Sequence, residues 1–215
     1  MPFKLSPSSI KLFVECTRCF WLTQHKVWKR PSGAFPSLPA GMDKIIKFHF
    51  NSFRDKGLLP PELCSNKHCE DIKLFNDKDL LKLWQNNRKG ISPIDKNGNI
   101  LYCAVDDLLI KEDKIIVLDF KTRGYAVKED TAEMYQLQLD IYNFLLRKNN
   151  YKTENYAFLL FYMPQKINED GSIIFDTELV KRDININNAE NVFNNAIKLL
   201  NNDCPKKSCE WCDGK

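Results

Sequence analysis

Asp106 and, thirteen residues later, Asp119-Phe120-Lys121 place two carboxylates and an ammonium in two neighbouring apolar runs, ILYCAVDDLLI (100–110) and KIIVLDF (114–120). Isoleucine, leucine and valine favour strands, and Lys111-Glu112-Asp113 supply a polar turn, so the two runs read as an antiparallel hairpin. Residues two apart in a strand share a face. Asp119 and Lys121 therefore point one way and Phe120 the other. By the same alternation Asp107 faces away from Asp106, which leaves Asp106 as the acid to set beside Asp119. A carboxylate in so apolar a strand needs compensation, and either Lys121 or a Mg²⁺ ion supplies it. A lone Asp-x-Lys is more often a structural ion pair, so the weight falls on what surrounds it.

The second chemical signal is sulfur. The chain has eight cysteines, and in a reducing compartment that number points to metal binding or thiol chemistry rather than disulfides. Cys16-Thr17-Arg18-Cys19 and Cys209-Glu210-Trp211-Cys212 are two C-x-x-C pairs at opposite ends of the sequence. Together they offer four thiolates, a set that suits a tetrahedral Zn²⁺ or an iron–sulfur cluster. Cys204 competes for a place in the set. Cys103, inside a strand, reads as a small buried hydrophobe.

These residues need a frame to hold them. Ser6 caps and Pro7 opens a first helix that runs to about residue 28, with Cys16 and Cys19 one turn apart. Residues 41–56 have helical spacing and 77–87 form a further helix. The stretch 60–69 reads as an exposed connection. A long helix spans 129–148, strands cover 155–163 and 172–180, and the last helix covers 187–201. This order implies an α/β fold with a central mixed sheet flanked by helices. At 215 residues, 43% of them hydrophobic, the chain suits one domain over 1–215, its first helix (6–28) and tail (203–213) meeting at the cysteine site. No apolar run approaches the roughly eighteen residues of a membrane span and no leader precedes the first helix, so a soluble cytoplasmic protein is expected. The net charge of +4 permits a nucleic-acid partner without demanding one. Arg18, Lys26, Lys29 and Arg30, interleaved with Phe20, Trp21 and Trp28, together with Lys206-Lys207 beside Trp211, are candidates for gripping phosphates and stacking on unpaired bases.

On the long helix, Gln138 and Tyr142 stand four residues apart on one face. Downstream of the acid hairpin this Q-x-x-x-Y completes a pattern that resembles the PD-(D/E)XK nuclease superfamily. Within it the chain looks like the RecB-like branch, which includes AddB-type helicase–nuclease subunits and CRISPR adaptation nucleases. The resemblance covers most of the chain: LSPSSIKLFVECTRCFWL resembles the branch's cysteine-bearing first helix, followed by His49, Asp106, Asp119-Phe120-Lys121-Thr122, Gln138 with Tyr142, and the closing Cys-Glu-Trp-Cys.

The resemblance implies a restriction-endonuclease-like core and a Mg²⁺- or Mn²⁺-dependent deoxyribonuclease acting on single strands or DNA ends, in repair, recombination or defence, with a helicase or other nucleoprotein partner. The alternative is an inactive nucleic-acid-binding or scaffold subunit of the same fold. It implies that Asp106, Asp119, the Phe120 carbonyl and His49 bind the cation, that Lys121 orients the attacking water, and that Gln138 and Tyr142 support the site. It further implies a [4Fe–4S] cluster on Cys16, Cys19, Cys209 and Cys212, with Cys204 in reserve for Cys19 and structural Zn²⁺ as the alternative. Two departures stand out. Cys103 occupies the place of the glycine usual three residues before the first acid, and no cysteine follows Cys212 as the branch's pattern requires.

Overall fold

The computed structural model describes residues 2–33, 35–64, 66–93, 95, 97–128 and 130–215. In chain order the elements are β1 (Lys4–Leu5), α1 (Pro7–Glu15), α2 (Thr17–Gln24), α3 (Ser37–Arg54), α4 (Pro61–Cys64), β2 (Ile72–Leu74), α5 (Lys78–Trp84), β3 (Ile100–Leu101), β4 (Asp107–Lys111), β5 (Lys114–Thr122), α6 (Gln136–Lys148), β6 (Tyr156–Ile167), β7 (Ile173–Asp183) and α7 (Ile186–Leu200). Five strands form one mixed sheet in the order β2-β4-β5-β6-β7, with β5 and β6 parallel and the other neighbours antiparallel. β1 and β3 pair separately as a small parallel ribbon. This is the mixed α/β architecture expected from the order of elements.

β5 is buried on both faces, and its alternation divides the protein into two cores. Ile115 and Val117 pack with α6 and α7 side chains such as Leu139, Leu145 and Phe193. Ile116, Leu118 and Phe120 pack with Ile46 and Phe50 of α3, and the Phe50 and Phe120 rings are 4.8 Å apart. β6 repeats the division, with Leu159 and Phe161 on the α6 side and Phe158, Leu160 and Tyr162 on the α3 side. A strand covered by helices on both faces reads as a continuous apolar run. Against that background Asp119 and Lys121 stand out on the α6 side.

Four sequence expectations change in the structure. The first helix breaks at Cys16, whose backbone is extended (φ −158°, ψ 109°), so α1 and α2 are separate. The Cys16 sulfur accepts from the Cys19 N–H at 3.5 Å and caps α2, which turns this thiol inward instead of leaving it on a helix face. The strand expected over 100–110 also divides. Ile100–Leu101 pair with β1, Cys103 forms an isolated bridge with Ile91, and the ladder with β5 begins only at Asp107. The expected exposed connection over Pro60-Pro61 and Cys64 to Cys69 is only partly so: Cys64, Lys67 and His68 are exposed, but Cys69 is buried against the α3 core, and β2 then adds an edge strand to the sheet. The helix expected from residue 129 begins as a 3₁₀ turn over Thr131–Tyr135 and becomes α-helical at Gln136. Glu129 itself lies outside the described residues. Among the described residues no helix is long and apolar enough to cross a membrane.

Candidate functional site

The β4–β5 hairpin turns through Glu112, which takes a positive φ of 53°, and its register pairs Asp107 with Leu118. Continued one residue further, that register sets Asp106 opposite Asp119, on the α6 side. Asp106 is fixed there by its Oδ2, which accepts from the Phe120 N–H at 3.0 Å. Gln85 at the end of α5 donates to the Asp106 carbonyl at 2.6 Å. Asp107 points to the other core. Its carboxylate is ion-paired with Arg54 of α3, and both side chains are only 1% exposed. Arg54 Nε also donates to the Phe75 carbonyl at 2.7 Å. Of the two adjacent acids, one therefore pins α3 to the sheet and the other faces Asp119.

Asp119 is ion-paired with Lys121. Gln138 bridges the pair: its Oε1 accepts from Lys121 Nζ at 3.2 Å and its Nε2 lies 3.3 Å from Asp119 Oδ1. The same amide reaches Tyr142 Oη, so the i,i+4 spacing on α6 serves a single hydrogen-bonded chain. The Lys121 ammonium sits 4.4 Å from the centre of the Tyr135 ring, which helps hold it in place. Asp119 Oδ2 is buried and meets the Lys121 ammonium directly. Two carboxylates that converge in a buried site are short of compensating positive charge, which makes a further cation favourable there.

Electrostatics describe the same shortage. Burial, reinforced by Asp106, pushes the Asp119 carboxyl up to about 7 against the pull of Lys121. For Lys121, burial works downward, but the Asp119 and Asp106 carboxylates outweigh it and hold the ammonium above its ordinary value. Both shifts retain protons because two carboxylates converge where water is scarce. Tyr142 is pushed well above its usual range by burial and the two acids, so its phenol stays protonated. A polar cleft of about 240 Å³ lies beside Gln138 and Tyr142, lined also by Ser6, Ser8, Asn87 and Cys103; Asp106, Asp119 and Lys121 are not part of its lining. A hard oxygen donor set of this kind suits Mg²⁺ or Mn²⁺.

His49 is not brought to the acids. Its imidazole lies 3.1 Å from Glu62, which also accepts from Tyr162 Oη at 2.8 Å, beside a groove of about 570 Å³ lined by Met42, Ile46 and Phe175. Lys47 is the α3 residue that reaches the acids, with Nζ 3.1 Å from Asp106 and 2.8 Å from Asp43. Positions two apart in a helix point to nearly opposite sides, so a helix that presents Lys47 to Asp106 cannot also present His49. Burial works to lower Lys47, and Asp106 and Asp43 raise it above its usual value. The i,i+4 pair Asp43–Lys47 was visible as a helix-face spacing, but nothing in the sequence tied it to the hairpin.

The four cysteines converge as a separate group. Cys16, Cys19, Cys209 and Cys212 place their sulfurs within 4.8 Å of one another, in a pocket walled by Leu12, Trp21, Leu22 and Trp28. This group joins the α1–α2 junction to the C-terminal segment and can hold a metal ion. Arg18 donates to the Pro205 carbonyl at 2.7 Å and approaches Cys204 Sγ at 3.6 Å. Arg30 pairs with Glu15 at 2.9 Å and lies 4.0 Å from Cys209 Sγ. These two arginines are committed to the cysteine end and do not extend a phosphate-gripping surface with Lys26 and Lys29. Burial works upward on Cys209, but the Trp211 backbone N–H, Cys19 and the Cys212 N–H overcome it and bring the thiol down to about 6.

Comparison with known protein families matches residues 80–215 to the PD-(D/E)XK nuclease superfamily. The chain belongs to that superfamily. The matched span holds Asp106, Asp119, Lys121, Gln138, Tyr142 and the C-terminal cysteines, and membership carries a nuclease-type, phosphodiester-cleaving function on nucleic acid. Comparison with curated proteins finds no match.

Proposed function

We propose that this PD-(D/E)XK nuclease is a Mg²⁺- or Mn²⁺-dependent deoxyribonuclease that cleaves single strands or DNA ends, with Asp106, Asp119 and Lys121 as its working groups. The observation that carries this reading is the convergence of Asp106 and buried Asp119 across one register step, with the Lys121 ammonium beside them. Asp106 and Asp119 are the residues to hold the cation. When bound, the ion neutralises charge on the scissile phosphate and makes water a better nucleophile near neutral pH.

The chain's own groups do the rest. Lys121, kept charged by its two acids, is placed to steer the attacking water and to balance negative charge that develops on phosphorus. Gln138 fixes the Lys121 rotamer from one side and Asp119 from the other, so it positions both without taking a proton. Tyr142 and the hydroxyls of Ser6 and Ser8 line the cleft and offer donors to the phosphate backbone. Roles in repair, recombination or defence fit a substrate of single strands or DNA ends.

The test is cleavage of end-labelled single-stranded and double-stranded DNA, with an RNA control, in Mn²⁺ or Mg²⁺ and in chelator. Wild type should cut only with metal, and Asp119→Ala and Lys121→Ala should each lose on the order of a hundredfold or more in rate. Equal cleavage by all three proteins overturns the assigned site. Binding without any cleavage by wild type returns the chain to a scaffold role.

A further inference from the structure

The cysteine end carries an inference that does not depend on the acid site. The Cys16 and Cys212 sulfurs are 3.8 Å apart, those of Cys19 and Cys209 3.5 Å, and those of Cys209 and Cys212 3.7 Å, with all four inside 4.8 Å of one another. One tetrahedral ion with metal–sulfur bonds of about 2.3 Å sets its four sulfurs about 3.8 Å apart along every edge. A four-iron cube gives each thiolate its own iron and places two irons between any two thiolate sulfurs, so every sulfur pair must stand apart by a further iron–iron spacing. A two-iron rhomb keeps two short sulfur pairs and drives the pairs away from each other. Neither body fits inside a group whose six separations are all this short. We infer that Cys16, Cys19, Cys209 and Cys212 bind a single Zn²⁺ as a closed structural site, in place of the [4Fe–4S] cluster that the family resemblance implies.

The surroundings agree with a closed tetrathiolate. Cys19 and Cys212 are fully buried, Cys16 nearly so and Cys209 partly, and four thiolates fill every position of a tetrahedral ion, leaving no open one of the kind a catalytic zinc keeps. Backbone N–H groups are aimed at two of the sulfurs, Cys19 N at Cys16 Sγ (3.5 Å) and Cys209 N at Cys212 Sγ (3.4 Å). Such second-sphere donors orient thiolates and temper their charge. Zn²⁺ with four thiolates carries two net negative charges, and Arg30, close to Cys209 Sγ, and Arg18, close to Cys204 Sγ, bring two positive charges to this end. Cys204 is the fifth cysteine of the neighbourhood. It stands outside the group of four, facing Arg18 instead.

The deciding experiment is metal and sulfide analysis of the full chain, expressed with both zinc and iron supplied and purified without oxygen or chelator so that an iron cluster, if formed, survives. The expected result is about one zinc per chain, no acid-labile sulfide and a colourless protein. Exchange with Co²⁺ should then give the intense visible bands of a tetrahedral tetrathiolate. Cys204→Ser should retain the zinc, whereas Cys209→Ser should lose it. Iron in stoichiometric amount, with or without sulfide, overturns the assignment, as does failure of wild type to take up zinc. Loss of zinc from Cys204→Ser overturns the ligand set. Should Cys209→Ser fail to fold, wild-type stoichiometry and the cobalt spectrum still decide.

Discussion

Divalent metal should leave the acid pair at a pH where ordinary aspartates remain fully charged. Asp119 is 1% exposed, and burial together with Asp106 pushes its carboxyl up to about 7 despite Lys121. A protonated carboxyl has lost the charge that attracts the cation, so metal must displace a proton below that value, and each further pH unit costs about tenfold in apparent affinity. Between about pH 8 and about pH 6 the apparent Mn²⁺ affinity should therefore fall roughly tenfold, about 1.4 kcal/mol. An aspartate at its ordinary value of 3.8 would show no change in this window. Calorimetric titration of Mn²⁺ into wild type at a series of pH values measures it, with Asp119→Asn as the variant that has no proton to displace. An affinity flat across the window refutes the reasoning. The same shift has a stability counterpart in chelator. The folded-state value lies above the unfolded one, so the neutral acid's contribution is fully present below the unfolded value and is lost as pH rises through about 7. The urea midpoint of wild type should thus decline from about pH 5 to about pH 8 relative to Asp119→Asn, which stays neutral throughout.

Arg54→Met should be strongly destabilising, by about 3–5 kcal/mol in urea unfolding, because it strands the buried Asp107 carboxylate and removes the donor to the Phe75 carbonyl. Restoring neutrality with Asp107→Asn in the same chain should recover part of the loss. Gly90→Ala should unfold the approach to the acids. Gly90 has a φ of +52°, and a Cβ there runs into the backbone carbonyl of Cys103, so a fall in melting temperature with weakened Mn²⁺ binding is expected. Leu63→Ala, at a fully buried position of α4 in the α3-side core, should cost about 2–5 kcal/mol while leaving the Mn²⁺ affinity of the folded fraction unchanged.

Much of the frame could be read from periodicity. The two runs around Glu112, the amphipathic spacing of α6 and α7 and the strand β6 all declare themselves because each buries one face or two. The breaks did not declare themselves. Residues 100–110 carry strand-like composition throughout, yet Ile100–Leu101 are taken by β1 and Cys103 by Ile91, so β4 starts only at Asp107. Composition records burial, not which neighbour provides it. The break at Cys16 was hidden likewise, because a cysteine acting as a helix cap is absent from the usual cap residues.

The sequence by itself determined which groups share a face. Strand alternation set Asp119 with Lys121 and Asp106 apart from Asp107, and helical spacing set Gln138 with Tyr142, since these relations depend only on local backbone geometry. Tertiary structure decided which groups meet across elements: Lys47 and not His49 at Asp106, Arg54 under Asp107, Arg18 and Arg30 at the cysteines, and four sulfurs drawn inside 4.8 Å from both ends of the chain. Those contacts depend on how α3 rotates against the sheet and how the C-terminal segment returns to α2. Both are settled by packing between residues distant in sequence, which no local spacing encodes.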